Sequence, residues 1–147
     1  MTASIQRTAL AEFTPNQLFD LVDDVGHYPD FLPWCSAVDV LEQTEQQTSA
    51  RLHVNFRGIR QHFATKNRKQ RPGNMTLELL EGPFSDLRGE WRFVPLGDTA
   101  CRVEFTLNYR FSSRILEKLL GPVFGHITGT MVDAFLREAA RRFGAKE

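Results

Sequence analysis

Between Ser36 and Phe111 apolar side chains recur at every second position, and this alternation restricts the fold more than any other feature of the chain. It is clearest in Val103, Phe105, Leu107, Tyr109 and Phe111, separated by Glu104, Thr106, Asn108 and Arg110. Leu52, Val54 and Phe56 alternate with His53 and Asn55, Met75, Leu77 and Leu79 with Thr76 and Glu78, and Trp91 and Phe93 flank Arg92. A period of two sends one face of each strand to a core and the other to water. Turn signals at Gln46-Gln47, Gly58, Pro72-Gly73-Asn74, Gly82-Pro83 and Leu96-Gly97-Asp98 divide the runs. Short turns between half-buried strands predict an antiparallel meander of about six strands, whose apolar face needs a cover.

The last segment supplies that cover. Ser112 or Ser113 can cap a helical pattern reaching about Phe143, with Ile115, Leu116, Leu119, Leu120, Val123, Phe124, Ile127, Met131, Ala134, Phe135 and Phe143 in a broad apolar stripe. Gly121-Pro122 predicts a kink or break near its start. At the other end, residues 3–10 predict a strand, and Thr14-Pro15-Asn16-Gln17 a capping box opening a short helix that Gly26 ends. Residues 27–34, aromatic with two prolines, predict a helical turn or packed loop. The expected architecture is a single α+β domain over residues 1–147, with a curved antiparallel sheet wrapped around a long C-terminal helix.

Composition decides how that space is filled. Twelve Phe stand against two Tyr, so buried aromatic area comes mostly without a polar tip needing a partner. Phe56, Phe63, Trp91, Phe93, Phe105 and Tyr109 on the strands, with Leu77 and Leu107, face Val123, Phe124, Ile127 and Met131 of the helix. One helix across a strongly curved sheet leaves room for an apolar cavity among them. Gly121, Gly125 and Gly129 fall at spacing four; either they leave space for a ligand beneath the helix, or they let the backbone pack closely.

Catalytic motifs are missing. No nucleophile elbow, phosphate loop or dinucleotide fingerprint occurs, and His27, His53, His62 and His126 lack metal-motif spacing. No metal and no obligatory cofactor are expected. Two cysteines, Cys35 and Cys101, and the absence of an apolar N-terminal stretch predict a cytoplasmic protein with reduced thiols. The uncharged run Leu119–Val132 has 14 residues, too short for a membrane span.

Charge is unevenly spread. Residues 1–50 hold eight acids and one base, residues 51–75 seven bases and no acid. Arg60, Lys66 and Arg68 share strand parity within the basic segment. They form either a solvated face or a surface for an anionic partner, ribosomal RNA or a membrane.

Tyr28-Pro29-Asp30-Phe31-Leu32-Pro33-Trp34-Cys35, Phe56-Arg57-Gly58-Ile59, the stretch 63–67, and Gly82-Pro83-Phe84 followed by Leu87, Gly89, Trp91 and Phe93 resemble the coenzyme Q-binding START-like family. The resemblance implies a helix-grip fold with a deep cavity under the C-terminal helix. It implies a polyprenyl quinone such as ubiquinone as ligand, in support of respiration, with a peripheral place at the inner membrane. Its ribosome-association toxin subgroup implies a second function, binding the large ribosomal subunit and blocking subunit joining. The wider superfamily contains polyketide cyclases, which keeps an enzymatic reading open. The first expectation is a non-enzymatic carrier, with Tyr109 and His62 orienting the quinone ring.

Overall fold

The computed structural model describes residues 2–144; the ends of the expected domain, 1 and 145–147, lie outside the described residues. Seven strands, β1 (Ala3–Ala11), β2 (Cys35–Gln43), β3 (Gln47–Phe56), β4 (Ile59–Gln70), β5 (Asn74–Glu81), β6 (Phe84–Pro95) and β7 (Cys101–Phe111), form one antiparallel sheet in the order β1-β7-β6-β5-β4-β3-β2. The six predicted strands are β2 to β7, and β1 returns to pair with β7 from Ala3–Tyr109 to Ala11–Cys101. Along β7 the alternation is read out directly: Val103, Phe105, Leu107, Tyr109 and Phe111 are buried, and the residues between them are not. The sheet thus turns its apolar face toward the last helix, as the period required.

Helix α1 (Pro15–Asp23) starts where its capping box places it. The Gln17 amide donates to Thr14 Oγ1 at 3.1 Å, and the Thr14 amide donates to Gln17 Oε1 at 2.9 Å. It ends at Asp23, before Gly26, which belongs to a 3₁₀ turn over Val25–Asp30. Helix α2 (Arg114–Phe143) is capped by Ser113, whose Oγ accepts from the Leu116 amide at 3.1 Å. Ser112 instead donates to the Pro83 carbonyl. The helix runs unbroken through Gly121-Pro122, correcting the expected interruption. Pro122 is exposed, so its ring and the hydrogen bond it removes face water.

Two aromatic clusters seat α2 on the sheet. Phe124 packs against Phe63, Phe84, Tyr109 and Phe111, with ring centroids 5.0–6.3 Å apart. Nearer the C-terminus, Phe135 meets Tyr28, Phe31 and Trp91 at 5.2–5.3 Å. A buried ion pair fastens α1 to the sheet: Lys69 Nζ lies 2.9 Å from Asp23 Oδ2, and Thr48 donates to Asp23 Oδ1.

Candidate functional site

Between the clusters of Phe124 and Phe135 lies a cavity of about 60 Å³. Ile127, Thr128 and Met131 of α2 form its roof together with Phe124. The sheet supplies Ala50, Leu52, Phe63, Leu77, Leu87, Trp91, Phe105, Leu107 and Tyr109, and Val25 and Tyr28 close the side under the 3₁₀ turn. The space has room for no more than a few molecules the size of water. A larger ligand requires α2 to move outward, and Met131, unbranched and only half-buried, is the adaptable part of the roof.

Nine candidates from the sequence meet here: Phe63, Leu77, Trp91, Phe105, Leu107, Tyr109, Phe124, Ile127 and Met131. Five others do not line it. Phe93 is buried against Phe19 of α1 and stacked on Trp91, because α1, not α2, covers that end of the sheet. Val123 is buried beside the cavity rather than on its wall. Phe56 stands at the β3–β4 turn, stacked on His126 at 4.6 Å. Gly125 and Gly129 lie on the outer face of α2; a Cβ at Gly125 would meet nothing within 4 Å, so they leave no room beneath the helix. His62, expected near the quinone ring, is exposed on the outer sheet face, 3.3 Å from Glu81.

The wall carries a polar cluster that alternation did not reveal. Thr65, Asn67 and Thr128 are buried within the otherwise apolar lining. Thr65 Oγ1 donates to Asn67 Oδ1 at 2.9 Å, and Thr128 Oγ1 donates to the Phe124 carbonyl at 2.8 Å. Among the described residues no side-chain N or O atom is both fully buried and unpartnered, so the Asn67 amide nitrogen, which is not seen to donate to the protein, borders accessible space at the wall. The one sequence signal was Thr65-Lys66-Asn67, where two polar side chains take inward parity on a strand.

The ionisable groups on the wall are two tyrosines. Burial raises the Tyr109 hydroxyl above its ordinary value of 10, with the Thr128 hydroxyl partly opposing. Burial also drives Tyr28 far upward, and its hydroxyl donates to the Val22 carbonyl. Both stay protonated at neutral pH, so neither is poised as an acid or base in the working range. Cys35 is buried, its thiol pushed up to about 12 by desolvation, which makes it a poor nucleophile.

Outside, Arg60, Lys66 and Arg68 do share one face of β4, as parity predicted, but the basic segment is partly neutralised. Arg68 pairs with Glu78, Arg51 with Glu81 and Asp39, Arg71 with Asp20, and Lys69 turns inward to Asp23. Among the described residues Arg57, Arg60 and Lys66 make no ion pair. An 18-residue window of α2 reaches a mean hydropathy of 1.3, and the helix is long enough to cross a membrane. One side of that helix is nevertheless the wall of the core and cavity, which identifies it as a packed element rather than a span.

Known proteins are similar to this chain. Ribosome association toxin RatA of Vibrio cholerae is 42% identical over 140 residues, 95% of this chain and 97% of that protein. Coenzyme Q-binding protein COQ10 homolog B of Xenopus laevis is 29% identical over 92% of this chain and 57% of its own length. The crystal structure of the Zhui aromatase/cyclase from Streptomyces sp. R1128 superposes with a TM-score of 0.84 at 20% identity, over 97% of this chain and 96% of that one, which shows the common fold. Residues 11–136 match the family described as polyketide cyclase / dehydrase and lipid transport, and the chain belongs to that family of START-like proteins.

Proposed function

We propose that the protein binds a polyprenyl quinone under α2, as a carrier without catalysis of its own. The observation that supports it most is the cavity's composition: aromatic and aliphatic walls, one polar cluster around Asn67, and no group that titrates near neutrality. A quinone needs that combination, since its ring carbonyls accept hydrogen bonds and its tail is apolar. The Asn67 amide is the donor to one carbonyl, and Tyr109, beside Thr128, bounds the same region. Burying about 300 Å² of apolar ligand surface contributes roughly 7 kcal/mol before the cost of association. The name of the Xenopus relative supports the same ligand class.

The test is uptake of a short-tailed ubiquinone from detergent micelles. Asn67→Leu keeps the branched outline of the side chain and removes the donor, so uptake is expected to fall about tenfold. Equal uptake by this variant and the parent rejects the Asn67 role, and no uptake by either rejects the quinone reading.

A second reading rests on the relatives named ribosome association toxin, 38–42% identical over nearly all of this chain. On it, the protein associates with the large ribosomal subunit through the unpaired Arg60 and Lys66. Phosphate contacts release counterions, so co-sedimentation with large subunits is expected to weaken steeply with salt. Arg60→Gln with Lys66→Gln is expected to reduce that slope by about 2. An unchanged slope removes these two residues from the contact.

A further inference from the structure

Apolar residues in the first half of α2 extend beyond the side that meets the sheet. The 18-residue window of hydropathy 1.3 is only 44% buried. Ile115, Leu119, Pro122 and His126 are spaced by four, three and four residues, so they form one stripe, and all four are exposed. Ile115 is 71% and Leu119 58% exposed, a high value for large aliphatic side chains. The stripe continues onto the sheet, because His126 stacks on Phe56 at the β3–β4 turn.

That turn is built in an unusual way. Arg57 has φ 52° and Gly58 φ 83°, the pair of left-handed residues of a type I′ hairpin. Glycine, asparagine or aspartate takes the first position at little cost, whereas arginine there is strained. The exposed Arg57 guanidinium lies 5.0 Å over the Phe56 ring, beside the apolar stripe. Arg114 and Lys118 flank the stripe on the helix, and Glu117 is the one acid beside them. Among the described residues none of these three bases forms an ion pair.

We propose that this face, Ile115, Leu119 and Pro122 of α2 with Phe56 and Arg57 of the hairpin tip, docks on an anionic phospholipid bilayer. Aliphatic side chains enter the boundary between headgroups and acyl chains, and Arg57, Arg114 and Lys118 meet lipid phosphates around them. The roof of the cavity, Ile127 and Met131, belongs to the same helix, so docking brings the ligand site to the membrane that holds quinones. The inference rests on the quinone reading for its purpose, though docking is measurable without any quinone.

The experiment is flotation of the ligand-free protein with vesicles of phosphatidylcholine containing phosphatidylglycerol, and with phosphatidylcholine alone. The parent is expected to float with the anionic vesicles and not with the neutral ones. Ile115→Ser with Leu119→Ser is expected to weaken partition on the order of a hundredfold. Arg57→Gln with Arg114→Gln and Lys118→Gln is expected to weaken it at least as clearly at low salt. Leu41→Ser, on the outer side of β2, is the control and floats like the parent. A parent that stays in the dense fraction, or a double variant that floats like the control, overturns the proposal. Loss of ribosome co-sedimentation by the double variant, with no flotation of the parent, assigns the face to an RNA-containing partner and overturns it equally. Quinone uptake from micelles is scored in parallel on the same proteins. Failed flotation with intact uptake sinks the docking alone, and failed uptake with intact flotation sinks the quinone reading alone.

Discussion

Asn67 is the one amide on the mostly apolar cavity wall. Its oxygen accepts from Thr65, and its nitrogen, which is not sealed from accessible space, is the donor assigned to a ligand carbonyl in the proposed function. Gly125 carries the opposite lesson. Its helical spacing suggested a recess under α2, yet it is exposed and a Cβ added there would meet nothing within 4 Å. Helix propensity therefore dominates there, and Gly125→Ala is expected to raise stability by about 1 kcal/mol in chemical denaturation, with quinone uptake unchanged. A loss of stability on that substitution means the outer face is covered in solution. Sequence spacing can show that glycines share a face but not which face; the burial of Phe124 and Ile127 decides that, and only the fold reveals it.

Among the elements, the alternation of β7 and the stripe of α2 make the sheet and its cover legible in the sequence. Strand parity brought six of the cavity residues together, and the helical stripe added Phe124, Ile127 and Met131. It failed for Phe93 because inward parity says nothing about which helix lies above, and α1 sits there with Phe19. Thr65 and Asn67 share inward parity with Phe63, but alternation was followed only through apolar side chains and so did not pick them out. The C-terminus of α2 is held by charge as well as apolar contact. Glu138, 4% exposed, has its pKa lowered to about 2, chiefly by the hydrogen bond from Arg141, against burial and with help from Arg142. Arg142 also reaches Asp24 at 2.9 Å, tying the helix to the start of the 3₁₀ turn. A carboxyl depressed on folding stabilises the protein above its unfolded value of 4.5, and this contribution is lost as pH falls toward 2. Glu138→Gln is therefore expected to cost on the order of 1–3 kcal/mol at pH 7 and little at pH 2, measured by urea unfolding at both values. An equal cost at both pH values shows that packing, not charge, is what Glu138 supplies.

For the whole molecule, the central relation is between a nearly closed cavity and the helix that roofs it. The unliganded space of about 60 Å³ is far too small for a quinone and its tail. The aromatic clusters at Phe124 and Phe135 clamp α2 at two places, and the residues between them span the roof. Binding must open this roof, so a bound ligand is part of the packing rather than an addition to it. Family membership alone does not choose among carrier, ribosome partner and cyclase, since one fold hosts all three kinds of named protein. The contents of the cavity do choose. Organic extraction of the protein purified without detergent, followed by mass spectrometry, reads those contents directly. The account predicts a polyprenyl quinone in the extract, in molar proportion to protein and depleted in Asn67→Leu. An extract indistinguishable from a buffer blank, from protein that also fails to take up added ubiquinone, contradicts it.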